Sequence, residues 1–67
     1  MENNQAKLII KGFQVNCRTN TPLRKVMKEK GYSLSAYLAI RNGTLITDDE
    51  ILKPGDAIEL VPVVSGG

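Results

Sequence analysis

The chain of 67 residues contains no histidine and no tryptophan. Without histidine it lacks the commonest general acid–base and the commonest neutral metal ligand at physiological pH. Its one cysteine, Cys17, cannot close an internal disulfide, and MENNQAKLII has neither the basic start nor the apolar stretch of a secretory signal. These absences predict a reduced, cytoplasmic protein. No apolar run approaches the ~20 residues that a membrane-crossing helix needs, so no membrane contact is expected. Nine basic residues against seven acidic ones leave +2. With only Phe13, Tyr32 and Tyr37 to stack on bases, direct nucleic-acid binding is disfavoured. Repeats, low-complexity stretches and internal linkers are missing too, which predicts a single domain over 1–67 with flexible ends at 1–5 and 65–67, monomeric alone. A domain this small buries only about 60% of its unfolded surface. It has no room for a deep cleft, and any chemistry must be simple or shared with a partner.

What is present reads as short elements. AKLIIKGFQVNCRT holds two β-prone runs around Lys11-Gly12. In the second run, Phe13, Val15 and Cys17 alternate with Gln14, Asn16 and Arg18, predicting a hairpin strand with Phe13, Val15 and Cys17 on the buried face. TPLRKVMKEKG predicts a helix of about nine residues: Thr21 as N-cap, Pro22 in the first helical position and Gly31 just past the end. Leu23, Val26 and Met27 form its apolar stripe, while Arg24, Lys25, Lys28 and Glu29 take the other side. After a linker over 32–35, Leu38 and Ile40 alternate with Tyr37, Ala39 and Arg41, and Asn42-Gly43 turns this third strand into a short fourth. Thr47-Asp48-Asp49-Glu50 has capping-box spacing and predicts one helical turn before Ile51-Leu52. Lys53-Pro54-Gly55-Asp56 predicts a type II turn, and AIELVPVV a last strand with Ile58 and Leu60 inward. Two layers follow, one sheet and one helix, an α+β architecture.

Most candidate chemistry has a plain structural explanation. Cys17 is a nucleophile by type, but on the face of Phe13 and Val15 it reads as a small buried apolar group. Asp48, Asp49 and Glu50 lack the six or more spaced oxygens that Ca²⁺ takes, and read as a solvated capping turn. Lys11, Arg18, Arg24, Lys25, Lys28 and Arg41 read as separate surface charges, with a docking surface for an acidic partner as the minority alternative.

The C-terminal residues differ. Val61 and Val63 place apolar area on the outward side of the last strand, a docking surface with Val64. Ser65-Gly66-Gly67 then bring an unhindered carboxylate, and three residues reach at most about 10 Å. Such an end meets an enclosed active site only when the folded body docks at its mouth. Glycine suits a reacting end because a Cβ would collide with a narrow tunnel. A carboxylate is a poor electrophile and needs activation, most simply adenylation, before it passes to sulfide, a thiol or an amine. The chain is then a substrate carried between enzymes rather than a catalyst.

The sequence resembles the ubiquitin-like sulfur carriers of the ThiS and MoaD family. The resemblance covers residues 6–67 and is carried by Leu52-Lys53-Pro54-Gly55-Asp56-Ala57-Ile58-Glu59-Leu60 and Pro62-Val63-Val64-Ser65-Gly66-Gly67, with weaker support from Pro22-Leu23-Arg24 to Gly31 and from Arg41-Asn42-Gly43. It implies a β-grasp fold, a mixed sheet of four to five strands crossed by one helix. It further implies that Gly67 is adenylated by a ubiquitin-activating-type enzyme and converted to a thiocarboxylate, with a sulfurtransferase or cysteine desulfurase as donor and a biosynthetic enzyme as acceptor. No bound cofactor is implied; the partner consumes ATP. The compact segment from Thr44 to Lys53 is similar to that of carriers serving tRNA thiolation, with thiamine thiazole formation ranked close beside it and molybdopterin third. Two alternatives remain: a modifier joined through Gly67 to lysines, and a non-covalent interaction module.

Overall fold

In the computed structural model, which describes residues 4–63, five strands and one helix follow the order β1 (Gln5–Ile10), β2 (Phe13–Arg18), α1 (Leu23–Lys30), β3 (Tyr37–Arg41), β4 (Thr44–Ile46) and β5 (Ala57–Pro62). The sheet order is β2-β1-β5-β3-β4. β5 runs parallel to β1, and the other pairs are antiparallel. This is the expected β-grasp: an N-terminal hairpin, a crossing helix, and a last strand inserted at the centre of a mixed sheet. Gln5, placed by sequence with the flexible start, heads β1 opposite Arg18, and its carbonyl accepts the Gly55 N–H at 3.0 Å. Asn4, also of that start, accepts the Thr19 hydroxyl at its carbonyl at 3.1 Å, while Met1 to Asn3 and Val64 to Gly67 lie outside the described residues.

Helix α1 lays Leu23, Val26 and Met27 on the sheet, where they meet Ala6, Leu8, Ile10, Cys17, Ala39, Leu52, Ile58 and Leu60. Ile58 and Leu60 point inward as their alternation predicts, and both are almost completely buried. Because β1 and β5 are central, their inward residues are covered by neighbours on both sides as well as by the helix.

Three local expectations are corrected. The N-cap of α1 is Pro22, with no side-chain cap hydrogen bond, and the helix runs eight residues from Leu23. Its first N–H groups find backbone partners instead: Leu23 donates to the Glu50 carbonyl and Arg24 to the Asp48 carbonyl, both at 2.8 Å. A loop distant in sequence thus does the work expected of Thr21, whose carbonyl accepts the Leu52 N–H at 3.0 Å. That same loop is a non-helical turn over Asp48 and Asp49, because the Glu50 carboxylate bonds Arg41 at 2.9 Å rather than returning to the start of a helix. Phe13 is 75% exposed, since it sits at the tip of the edge hairpin, while Cys17 on the same strand face is buried.

Asn42 and Gly43 both have positive φ, +54° and +76°, which gives the tight β3–β4 hairpin its twist. Gly55 has φ +85° and Asp56 N–H donates to the Lys53 carbonyl at 3.0 Å, the signature of the expected type II turn. Asp56 secures that turn twice more. Its Oδ2 accepts the Lys53 N–H at 2.9 Å and an Arg41 guanidinium N–H at 3.3 Å. Arg41 therefore ties the β3–β4 hairpin to the entry of β5, with Glu50 as its second carboxylate.

Candidate functional site

The sheet has two faces and the helix covers one. Along each strand, alternate side chains point away from α1. The register places Gln14, Ile9, Glu59, Ile40 and Leu45 in one row across all five strands, and Leu38 beside Val61 in the next row toward the end of β5. Leu38 is 45% exposed and Leu45 60%, while Ile9, Ile40 and Val61 are half-buried. An apolar strip thus occupies the open face over β3, β4 and β5, with Glu59 inside it.

The strip leads to the exit of the chain. Pro62 stands opposite Tyr37, and the Val63 N–H still donates to the Ala36 carbonyl at 2.8 Å. Tyr37 is wedged edge-on against Tyr32, ring centroids 5.6 Å apart. β5 is paired on both sides through Leu60 and with β3 alone as far as Pro62, so the described chain ends at the β3 side of the sheet. Val61 and Val63, expected on a docking surface, do border the open face: Val61 within the strip and Val63, 45% exposed, at its edge. Val64, Ser65, Gly66 and Gly67, the other expected site residues, lie outside the described residues.

The rest of the strip, Ile9, Leu38, Ile40 and Leu45, is not singled out by sequence as a site. The signal was available in AYLAIRNGTLI, where apolar residues occupy both strand parities although a single helix can cover only one face.

Cys17 is buried under the helix, and burial pushes its thiol above the ordinary range, against a smaller opposing effect of Lys30. A raised folded-state pKa means that this contribution to stability is complete below the unfolded thiol range and is lost as pH rises through the folded value. Asp49 is held below the usual carboxylate range first by the Thr47 hydroxyl, then by its own backbone N–H, with Arg24 adding charge attraction. Among the described residues, no three His, Cys, Asp or Glu side chains gather as a metal cage. No described helix is long and apolar enough to cross a membrane.

The basic residues do not form one face. Arg18 pairs with Glu29, its Nε donating to Oε1 at 3.2 Å, and Arg41 is held by Glu50 and Asp56. Arg24, Lys25 and Lys28 line a separate groove beside α1.

The described residues thus place an apolar strip on the open face of the sheet, beside the end of β5. The ThiS family model matches residues 4–67. The sulfur carrier protein TtuB of Thermus thermophilus is 32% identical over 54 residues, which cover 81% of this chain and 83% of TtuB.

Proposed function

This chain belongs to the ThiS family of sulfur carriers, and from that premise we propose that Gly67 carries the sulfur as a C-terminal thiocarboxylate. A carboxylate oxygen of Gly67 attacks the α-phosphorus of ATP on a ubiquitin-activating-type partner and pyrophosphate leaves. Hydrosulfide attacks the resulting acyl-adenylate at the carbonyl carbon, AMP leaves with the bonding pair, and the thiocarboxylate remains. When a sulfurtransferase or cysteine desulfurase supplies a persulfide instead, attack gives an acyl disulfide. A second thiol then attacks its S–S bond, releasing the thiocarboxylate and forming a disulfide with the donor sulfur. ATP is the partner's substrate, and the carrier itself needs no bound cofactor.

The observation that carries this reading is the exit of β5 at the edge of the apolar strip. The four residues after Val63 span at most about 14 Å. A partner seated on Leu38, Ile40, Leu45 and Val61 therefore has Gly67 within reach of its own active site, while the body stays outside. Glu59 in the strip gives the docked pair one charge to match.

Incubation with the adenylating partner, ATP and a sulfur donor adds about 16 Da at Gly67, oxygen replaced by sulfur, as read by mass spectrometry of the C-terminal peptide. Absence of the shift, with Gly67 recovered instead in isopeptide linkage to lysines, would assign the chain to the modifier class. The sulfur then serves tRNA thiolation or thiamine thiazole formation, with molybdopterin third; transfer from the charged carrier to each acceptor enzyme separates them.

Docking through the open face makes a second prediction. Leu38→Asp puts a desolvated charge into the interface at a position 45% exposed in the free protein, so the KM of the adenylating enzyme for the carrier rises by about tenfold or more while the fold is retained. Pyrophosphate release at varied carrier concentration measures it. An unchanged KM would remove the open face from the reading.

A further inference from the structure

We propose that the groove between α1 and residues 32–35 is a second docking surface, which takes an acidic peptide segment of a partner protein with an apolar side chain at its centre. The groove encloses about 720 Å³, with Arg24, Lys25 and Lys28 on the helix wall and Ser33, Leu34 and Ser35 on the other. No carboxylate lines it. Arg18 and Arg41 spend their charge on Glu29, Glu50 and Asp56, whereas no ion pair among the described residues engages Lys25 or Lys28. Asp49 lies close enough to feel the charge of Arg24, but its own carboxylate is bonded by Thr47. Two unmatched cations beside an open apolar side chain, Leu34 at 44% exposure, complement an anionic ligand with an apolar anchor. The Ser33 and Ser35 hydroxyls, 3.1 Å apart, supply neutral hydrogen-bonding groups on the facing wall.

Dimensions and stacking favour a peptide over a nucleic acid. An eight-residue helix is about 12 Å long, the span of roughly four extended residues. Tyr32, the one aromatic ring lining the groove, is packed edge-on against Tyr37, and the net charge of the whole chain is +2. A nucleic-acid strand would find neither a free stacking platform nor a continuous basic track. The groove is lined by α1 and residues 32–35 and includes none of the strip residues, although Leu34 and Ser35 at its end also border Leu38 and Leu45. Gly67 is not among the residues lining the groove, so the proposal holds whatever becomes of that residue.

The test titrates the ¹⁵N-labelled full chain with a dodecapeptide of repeating Glu-Asp-Leu, beside its neutral Gln-Asn-Leu counterpart. The expected result is amide shifts centred on Arg24, Lys25, Lys28 and Ser33 to Ser35, with affinity lost about tenfold by the neutral peptide and by Lys25→Glu/Lys28→Glu. Affinity also falls several-fold from about 50 to about 300 mM salt. The milder Lys25→Gln/Lys28→Gln pair gives an intermediate loss, and serves alone should charge reversal lower the unfolding midpoint. Shifts spread over Lys7, Lys11 and Lys53, equal binding by the substituted chains, or tighter binding of a single-stranded RNA of equal charge at the same amides would each overturn the proposal.

Discussion

Gly67→Val abolishes sulfur loading and leaves the thermal unfolding midpoint within about 1 °C of the parent. The two halves of that result have separate causes. Among the described residues the buried core runs from Ala6 to Leu60, so the midpoint is set by packing that is distant in sequence from position 67. The reaction senses a change there fully. In the proposed mechanism the carbonyl carbon of residue 67 is approached by ATP and later by sulfur, and a β-branched side chain beside it displaces the reacting atoms from line. Misplacement by about 1 Å costs on the order of 10²-fold, and a narrow channel that excludes the Cβ costs more. Leu38→Asp fails differently: it weakens docking and raises KM, while a carrier at saturating concentration is still adenylated. Calorimetry with the mass shift measured at high carrier concentration distinguishes the variants. A Gly67→Val chain that still gains about 16 Da would move the reacting group elsewhere.

The fold was legible wherever local chemistry decides it. Asn42-Gly43 and Pro54-Gly55 specify turns through their own backbone preferences, and the Leu23, Val26, Met27 stripe specifies the buried side of α1. The misses share a cause: they depend on partners distant in sequence. Thr21 looked like an N-cap because nothing nearby reveals that the Asp48 and Glu50 carbonyls already take the first helical N–H groups. Glu50 looked like a capping-box residue because Arg41, its actual partner, is nine positions away at the end of β3. Phe13 obeyed its period, but period cannot say where the covering helix stops. In the site, β5 and its outward valines were readable from one strand alone. The strip of Ile9, Leu38, Ile40 and Leu45 required the order β1-β5-β3-β4, and a parallel pair such as β1 with β5 leaves no turn signal between its members.

Leu52→Ala lowers the unfolding midpoint by about 12–24 °C, the largest stability loss expected from one substitution outside the regular elements. Leu52 belongs to the Leu-x-x-Gly-Asp segment that most distinguishes the family resemblance, and it lies in a stretch without regular structure, where an exposed side chain is the ordinary expectation. It is instead completely buried. Its N–H donates to the Thr21 carbonyl at 3.0 Å and its carbonyl accepts the Asn20 N–H at 2.7 Å, so its backbone is pinned and the site cannot collapse into a void. Removing three buried carbons there costs about 3 kcal/mol. A domain of this length has about 3–10 kcal/mol in all, and at about 4–8 °C per kcal/mol the shift follows. Ile51→Ala, one position away at 46% exposure, serves as the control and costs under about 1 kcal/mol. Both chains load sulfur normally per folded molecule when assayed well below their midpoints, because Leu52 fills the core, Gly55 and Asp56 close the turn and Arg41 locks it, all far along β5 from its exit at Val63. A small midpoint shift for Leu52→Ala would mean that the 47–56 segment is stabilised by its backbone bonds alone.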